Sequence, residues 1–137
     1  TILLGNNLQS KFSHFFQYQY DIGVVEWRVL IVLARSPTIT MSQITEIISM
    51  DKAAVSRALS KLDEKRLVQA STKGTNARSK LWQLTPAGIA LHDVILKAAV
   101  KFIQTILKRI PEESLEIMTK SMKTMQQNLK EMDWGVR

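Results

Sequence analysis

The chain has 137 residues, of which 45% are hydrophobic and none is Cys, and carries a formal net charge of +7. That length suits a single domain around one hydrophobic core, and the lack of Cys excludes disulfides, a cysteine-based peroxide sensor and a cysteine metal site. No apolar run approaches the roughly 20 residues that span a bilayer.

The opening Thr1-Ile2-Leu3-Leu4-Gly5-Asn6 lacks the basic region and cleavage site of a signal peptide, in keeping with a cytoplasmic address. With no initiator Met, the natural N-terminus is expected to extend further. Charge is unevenly spread. Residues 52–80 hold Lys52, Arg57, Lys61, Lys65, Arg66, Lys73, Arg78 and Lys80 against Asp63 and Glu64, a net of +6, which leaves +1 for the rest of the chain. A basic segment between neutral flanks is the footprint of a polyanion-binding surface, although a solvated basic face has the same arithmetic.

Leu4, Leu8, Phe12 and Phe15 or Phe16 recur at helical spacing, so the first twenty residues read as an amphipathic helix that Gly23 breaks. Val24 to Ala34 form a second, strongly apolar helix, which Ser36-Pro37 stops because a residue before Pro is pushed out of the α region. Thr40-Met41-Ser42-Gln43 has the capping-box pattern and opens a short helix with Ile44, Ile47 and Ile48 expected on its inner face. Ser49-Met50-Asp51 is a tight turn, and Asp51 is a good N-cap for a helix from Lys52 to about Arg66 with Val55, Ala58, Leu59 and Leu62 as its seam. Two helices joined by so short a turn make a helix-turn-helix.

The period then changes. Leu67 to Lys73 and Lys80 to Thr85 read as two strands around the polar turn Gly74 to Ser79, giving a hairpin with a basic tip. Thr85-Pro86 opens a helix to about Arg109, and Pro111-Glu112-Glu113 opens the last one. There Leu115, Met118, Met122, Met125, Leu129 and Met132 step by three and four, a heptad seam that wants a partner helix.

A helix in the major groove needs small or polar residues in its first turns, so that its backbone approaches closely and its side chains reach base edges. Lys52, Ala53, Ala54, Ser56 and Arg57 meet that need, with Ser60 and Lys61 one turn on for backbone phosphates. At the hairpin, Arg78 suits a narrow minor groove, where negative potential concentrates, and Lys73 and Lys80 suit nearby phosphates.

Three segments also carry a family resemblance: Glu26-Trp27-Arg28-Val29-Leu30, Met50 through Leu59, and Leu84-Thr85-Pro86-Ala87-Gly88. In this order and spacing they resemble the MarR family of bacterial regulators. The resemblance implies a mainly α fold with a small β-hairpin wing. Residues 23–85 would form a winged helix-turn-helix lobe (41–48 support helix, 52–66 recognition helix, 67–85 wing), and residues 1–22 and 86–137 would be dimerisation helices. Leu4, Leu8, Phe12, Met118, Met122, Met125 and Leu129 are the candidate interface of that homodimer.

The resemblance further implies a cytoplasmic repressor or activator bound to double-stranded DNA, in many relatives released by a small aromatic or phenolic effector. His14, Phe15, Tyr18, Trp27, Arg28 and Phe102 are candidates to line the effector pocket, an Arg beside aromatics suiting an aromatic carboxylate. The plainer reading keeps Trp27 and Phe102 in the core and Arg28 in a local pair. One departure concerns the wing, where the family's Asp-x-Arg is Asn76-Ala77-Arg78 here; an amide still hydrogen-bonds the guanidinium but without charge assistance. No resident cofactor or metal is expected, and hydrolase, zincin and phosphate-loop signatures are absent from the sequence, so an enzyme is not expected. A sequence-indifferent architectural DNA protein and a winged-helix docking module remain the alternatives.

Overall fold

A computed structural model describes residues 2–71 and 80–132. The chain falls into two compact units, residues 1–99 and 100–137. The first contains α1 (Ile2–Tyr20), α2 (Val24–Arg35), β1 (Ile39–Thr40), α3 (Met41–Ile48), α4 (Lys52–Glu64), β2 (Val68–Ser71) and β3 (Leu81–Leu84). Helix α5 (Pro86–Ile106) carries the chain into the second unit, which also holds α6 (Glu112–Glu131).

The core of the first unit is built where α2 and α4 present their apolar stripes. Val29 and Leu30 of α2, Ile44 of α3, Val55 and Leu62 of α4 and Ile95 of α5 are all at 0% exposure. Each such side chain contributes roughly 1.5–3 kcal/mol on burial. Phe16 of α1 stacks on Trp27 of α2, the centroids 6.3 Å apart, and Trp27 in turn stacks on His92 of α5 at 5.5 Å.

Both expected caps form. The Gln43 amide N–H donates to Thr40 Oγ1 (3.2 Å) while Gln43 Oε1 accepts from the Thr40 amide (3.0 Å), a complete capping box on α3. Asp51 Oδ1 accepts from the Ala53 amide at 3.3 Å and caps α4. The expected inner face of α3 needs correction. Met41, Ile44 and Ile48, spaced by three and four, take the stripe toward the core, and Ile47 is turned aside and 58% exposed.

Helix α4 ends at Glu64, two residues before the sequence suggested, in a Schellman turn. Arg66 is left-handed at φ 58°, its amide donates to the Asp63 carbonyl at 2.9 Å, and the Leu67 amide reaches back to the Leu62 carbonyl, also at 2.9 Å. The other positive-φ residues among those described, Asp21, Ser49 and Arg109, likewise follow a helix C-terminus.

Strand β2 begins one residue later than expected and β3 is two residues shorter, and both belong to a three-stranded antiparallel sheet of order β1-β3-β2. Ala70 faces Trp82 across β2–β3, and Ile39 faces Trp82 from the other side. Strand β1 has two residues, and Thr40 serves both as its last residue and as the cap of α3.

The start of α5 is clamped to the end of α4. Thr85 donates its backbone N–H to the Leu67 carbonyl (3.0 Å) and its hydroxyl to the Arg66 carbonyl (2.7 Å), and Thr85 Oγ1 accepts from the Gly88 amide (3.1 Å). A Cβ on Gly88 would stand 2.0 Å from the Leu67 carbonyl oxygen, so the Leu-Thr-Pro-Ala-Gly segment has a steric reason for its last residue.

In the second unit, the Pro111 carbonyl accepts from the Ser114 and Leu115 amides at the start of α6, beside Glu112 and Glu113 in its first turn. No residue of α6 is buried, and its apolar stripe is open: Met118 is 42%, Met125 55% and Leu129 63% exposed.

Gly88→Ala is expected to cost at least about 1–3 kcal/mol, the usual price of overpacking against an unyielding neighbour. Gly5→Ala, on a helical position with nothing within 4 Å, should instead stabilise by roughly 0.5–1 kcal/mol. Urea unfolding of the two variants checks this, and an unchanged midpoint for Gly88→Ala would contradict the packing.

Candidate nucleic-acid interface

Helix α4 has two sharply different faces. Val55, Ala58, Leu59 and Leu62 are at most 3% exposed, whereas Lys52, Ala53, Ser56, Arg57, Ser60 and Lys61 are open to solvent. Small residues occupy its first turn and cations lie at Lys52, Arg57 and Lys61, so a backbone can approach a polyanion closely while the longer side chains reach to either side. Ala54 is half-buried rather than outward. It borders a shallow hollow of about 390 Å³ whose walls include Val24 and Val25 of α2 and Arg57 and Lys61 of α4.

Lys80, immediately before β3, is exposed. Lys73 and Arg78, with the Asn76-Ala77-Arg78 departure, lie outside the described residues.

The far end of α4 is tied down by charge. Lys65 Nζ sits 3.1 Å from Glu26 Oε2 and 3.6 Å from Asp21 Oδ2, and also donates to the Asp21 carbonyl. The Glu26 side chain is 8% exposed and that of Lys65 31%. A carboxylate so far from water needs its partner, and Lys65 provides it while holding the end of α4 to the corner between α1 and α2. These two residues are absent from the sequence-derived site. One signal for them was present: Glu26 is in helical phase with Val29, Leu30 and Leu33, which marks a charge on an inward face.

The five candidate effector residues of the first unit do not converge. His14, Phe15 and Tyr18 line a hollow of about 700 Å³ along α1, with Ser10, Lys11 and Gln17. Trp27 instead belongs to the core, 5% exposed between Phe16 and His92. Its large ring offers more apolar area to the core than any neighbour on α2, which explains the displacement. Arg28 is exposed, and its Nη1 donates to Met50 Sδ at 3.3 Å, beside the helix-turn-helix turn. Phe102 is half-buried and belongs to the second unit.

Among the candidate dimer residues, Leu4 is 60% and Met122 46% exposed, and Leu8 and Phe12 are half-buried. No group of three or more His, Cys, Asp or Glu that could hold a metal occurs among the described residues, and no described helix is long and apolar enough to cross a membrane.

Two helices joined at a tight turn, the second with a polar outer face, and a small antiparallel sheet directly after it define a winged helix-turn-helix protein. Comparison with known proteins points the same way. Residues 20–79 match a family model described as MarR family. The HTH-type transcriptional regulator TcaR of Staphylococcus aureus (strain Newman) is 28% identical over 127 residues, spanning 91% of this chain and 83% of TcaR.

The crystal structure of a MarR/EmrR family transcriptional regulator from Acinetobacter sp. ADP1 is also 28% identical, with a TM-score of 0.83 over 95% of this chain and 92% of that one. The S. aureus MepR–DNA complex shares the fold at a TM-score of 0.78 and 22% identity, covering 93% of this chain and 91% of MepR. Over most of its length the chain is thus similar to transcriptional regulators of the MarR family.

Removing the partner of Glu26 should be costly. Lys65→Met is expected to destabilise by about 2–3 kcal/mol, below the 3–5 of a fully buried pair because Lys65 is partly in water. The double variant Glu26→Gln/Lys65→Met should recover part of that loss in a double-mutant cycle; additive losses would show that the two side chains do not interact.

Proposed function

We propose that the protein is a ligand-responsive repressor that binds a pseudo-palindromic operator as a homodimer. The observation that carries this reading is the outer face of α4, where Lys52, Ala53, Ser56, Arg57, Ser60 and Lys61 are presented together on a helix whose other face is locked in the core. Ser56 and Arg57 are the base-reading pair, Arg being suited to the O6 and N7 of guanine. Lys52, Ser60 and Lys61 contact phosphates. Arg78 enters the minor groove from the wing, flanked by Lys73 and Lys80.

Two subunits place their α4 helices about one turn of DNA apart, so that operator symmetry mirrors that of the protein. The apolar stripe of α6 and the exposed residues of α1 supply the dimer contacts, since a heptad stripe open to water is stabilised by a second helix.

The effector is a small aromatic or phenolic molecule, and His14, Phe15 and Tyr18 on α1 form one wall of its site. It acts by binding one arrangement of the α4 helices better than another, because only differential affinity shifts such an equilibrium. The corner that Lys65 holds is the route from α1 to α4. A repressor that senses a metabolite inside the cell works in the cytoplasm without catalysing a reaction.

Titration of a duplex selected by the protein from a random pool, against unselected DNA at several salt concentrations, tests the central reading. Selective binding with a steep salt dependence is expected. Equal affinities would indicate an architectural protein, and no binding a docking module. Met122→Glu should convert dimers to monomers in light scattering; a variant that remains dimeric would place the seam inside the subunit.

A further inference from the structure

Arg28 is surplus to the roles given so far. It lies on α2, outside the helix-turn-helix proper, and it is exposed. Its polar partner is a thioether, Met50 Sδ, at 3.3 Å. Sulfur of this kind is a weak acceptor and carries no charge. The ion pairs among the described residues are made by Lys65 and His92, so no carboxylate is recorded within pairing distance of Arg28.

The position of that charge is informative. Met50 directly precedes Asp51, the N-cap of α4, so the guanidinium is held at the leading end of the helix proposed to enter the groove. Further along, Val24 and Val25, one helical turn before Arg28 on α2, share a hollow with Ala54, Arg57 and Lys61. The flank of α2 therefore runs beside the outer side of α4. An α-helix with its side chains is about 10–12 Å across and the major groove about 12 Å wide. A helix seated there fills the groove, and a cation standing beside it rather than on its tip meets the groove wall, which is phosphate.

We infer that Arg28 contacts the DNA backbone as a phosphate clamp at the leading end of α4, reading no base and helping to set how deep and at what angle the helix sits. This rests on the DNA-binding reading above and extends the contact surface to α2. The planar fork of Arg suits two phosphate oxygens, and leaving Met50 forfeits only a weak contact. The same assignment moves Arg28 away from the effector site that its aromatic neighbours in sequence suggest.

The test compares wild type, Arg28→Ala, Arg28→Lys and Met50→Leu, each as the full chain, on one duplex selected by the wild type and on one unselected duplex. Dissociation constants are measured from low to moderate salt, with circular dichroism melts as a folding check. Arg28→Ala should reduce the slope of log K against log salt by about 0.9 per subunit, roughly two units for a dimer engaged through both. The loss should be equal on both duplexes, because a phosphate contact carries no sequence information. Arg28→Lys should keep the slope while binding more weakly, and Met50→Leu should keep it too.

An unchanged slope for Arg28→Ala in a wild-type background that binds DNA would overturn this inference and leave the regulator reading standing. A loss confined to the selected duplex would make Arg28 a base reader and overturn it as well. Failure of the wild type to bind either duplex would overturn both readings.

Discussion

The carbonyl of Leu67 lies where a side chain at position 88 would otherwise be, and much of the first unit depends on that close approach. In the few residues from Lys65 to Leu67, α4 ends in a Schellman turn, β2 is about to begin, and the Thr85 backbone and hydroxyl fasten the start of α5. Lys65 adds a further attachment, to Glu26 and Asp21 at the corner of α1 and α2. Because its end is fixed from three sides, α4 cannot tilt without disturbing the sheet, α5 or the corner of α1 and α2. For a helix proposed to fit a groove of set width, that immobility matters more than the stability of the helix alone.

The same corner joins two kinds of interaction with different tolerances. The backbone contact at Gly88 is steric and admits no larger residue. The pair of Lys65 and Glu26 is electrostatic and partly in water at the lysine end, so it tolerates small displacements better. In the proposed ligand-responsive repressor the rigid joint would keep α4 on its scaffold, and the softer one would be where an effector acts.

Much of this was legible in the sequence where local chemistry decides the outcome. The capping box at Thr40 and Gln43, the Asp51 cap, the seam of α4 and the Thr85-Pro86 helix start all follow from residues a few positions apart. What escaped depends on contacts far apart in the chain. Strand β1 has two residues and exists because Ile39 pairs with Trp82, so no periodicity could announce it. Ile47 was placed inward by composition, but an eight-residue helix has room for one narrow stripe, which Met41, Ile44 and Ile48 fill.

Trp27 and Arg28, adjacent in sequence, point to different environments, one to the core and the other to the turn before α4. The resemblance pointed to a family and to a candidate reading helix. The bond from Arg28 to Met50 and the anchoring of Lys65 required the fold.

The account stands on the outer face of α4 meeting base edges, and the absence of Cys makes a direct measurement simple, since an introduced cysteine is unique. A photoreactive cross-linker attached at Ser56→Cys, on a duplex selected by the wild type, should join the protein to bases of the major groove at two symmetry-related positions. The same probe at Ile47→Cys, exposed on α3, serves as the reference site. Base cross-links from position 56 and none from position 47 are the predicted result. Cross-links from position 47 alone, or none from position 56 while the complex remains intact, would contradict the assignment of α4 as the helix that reads DNA.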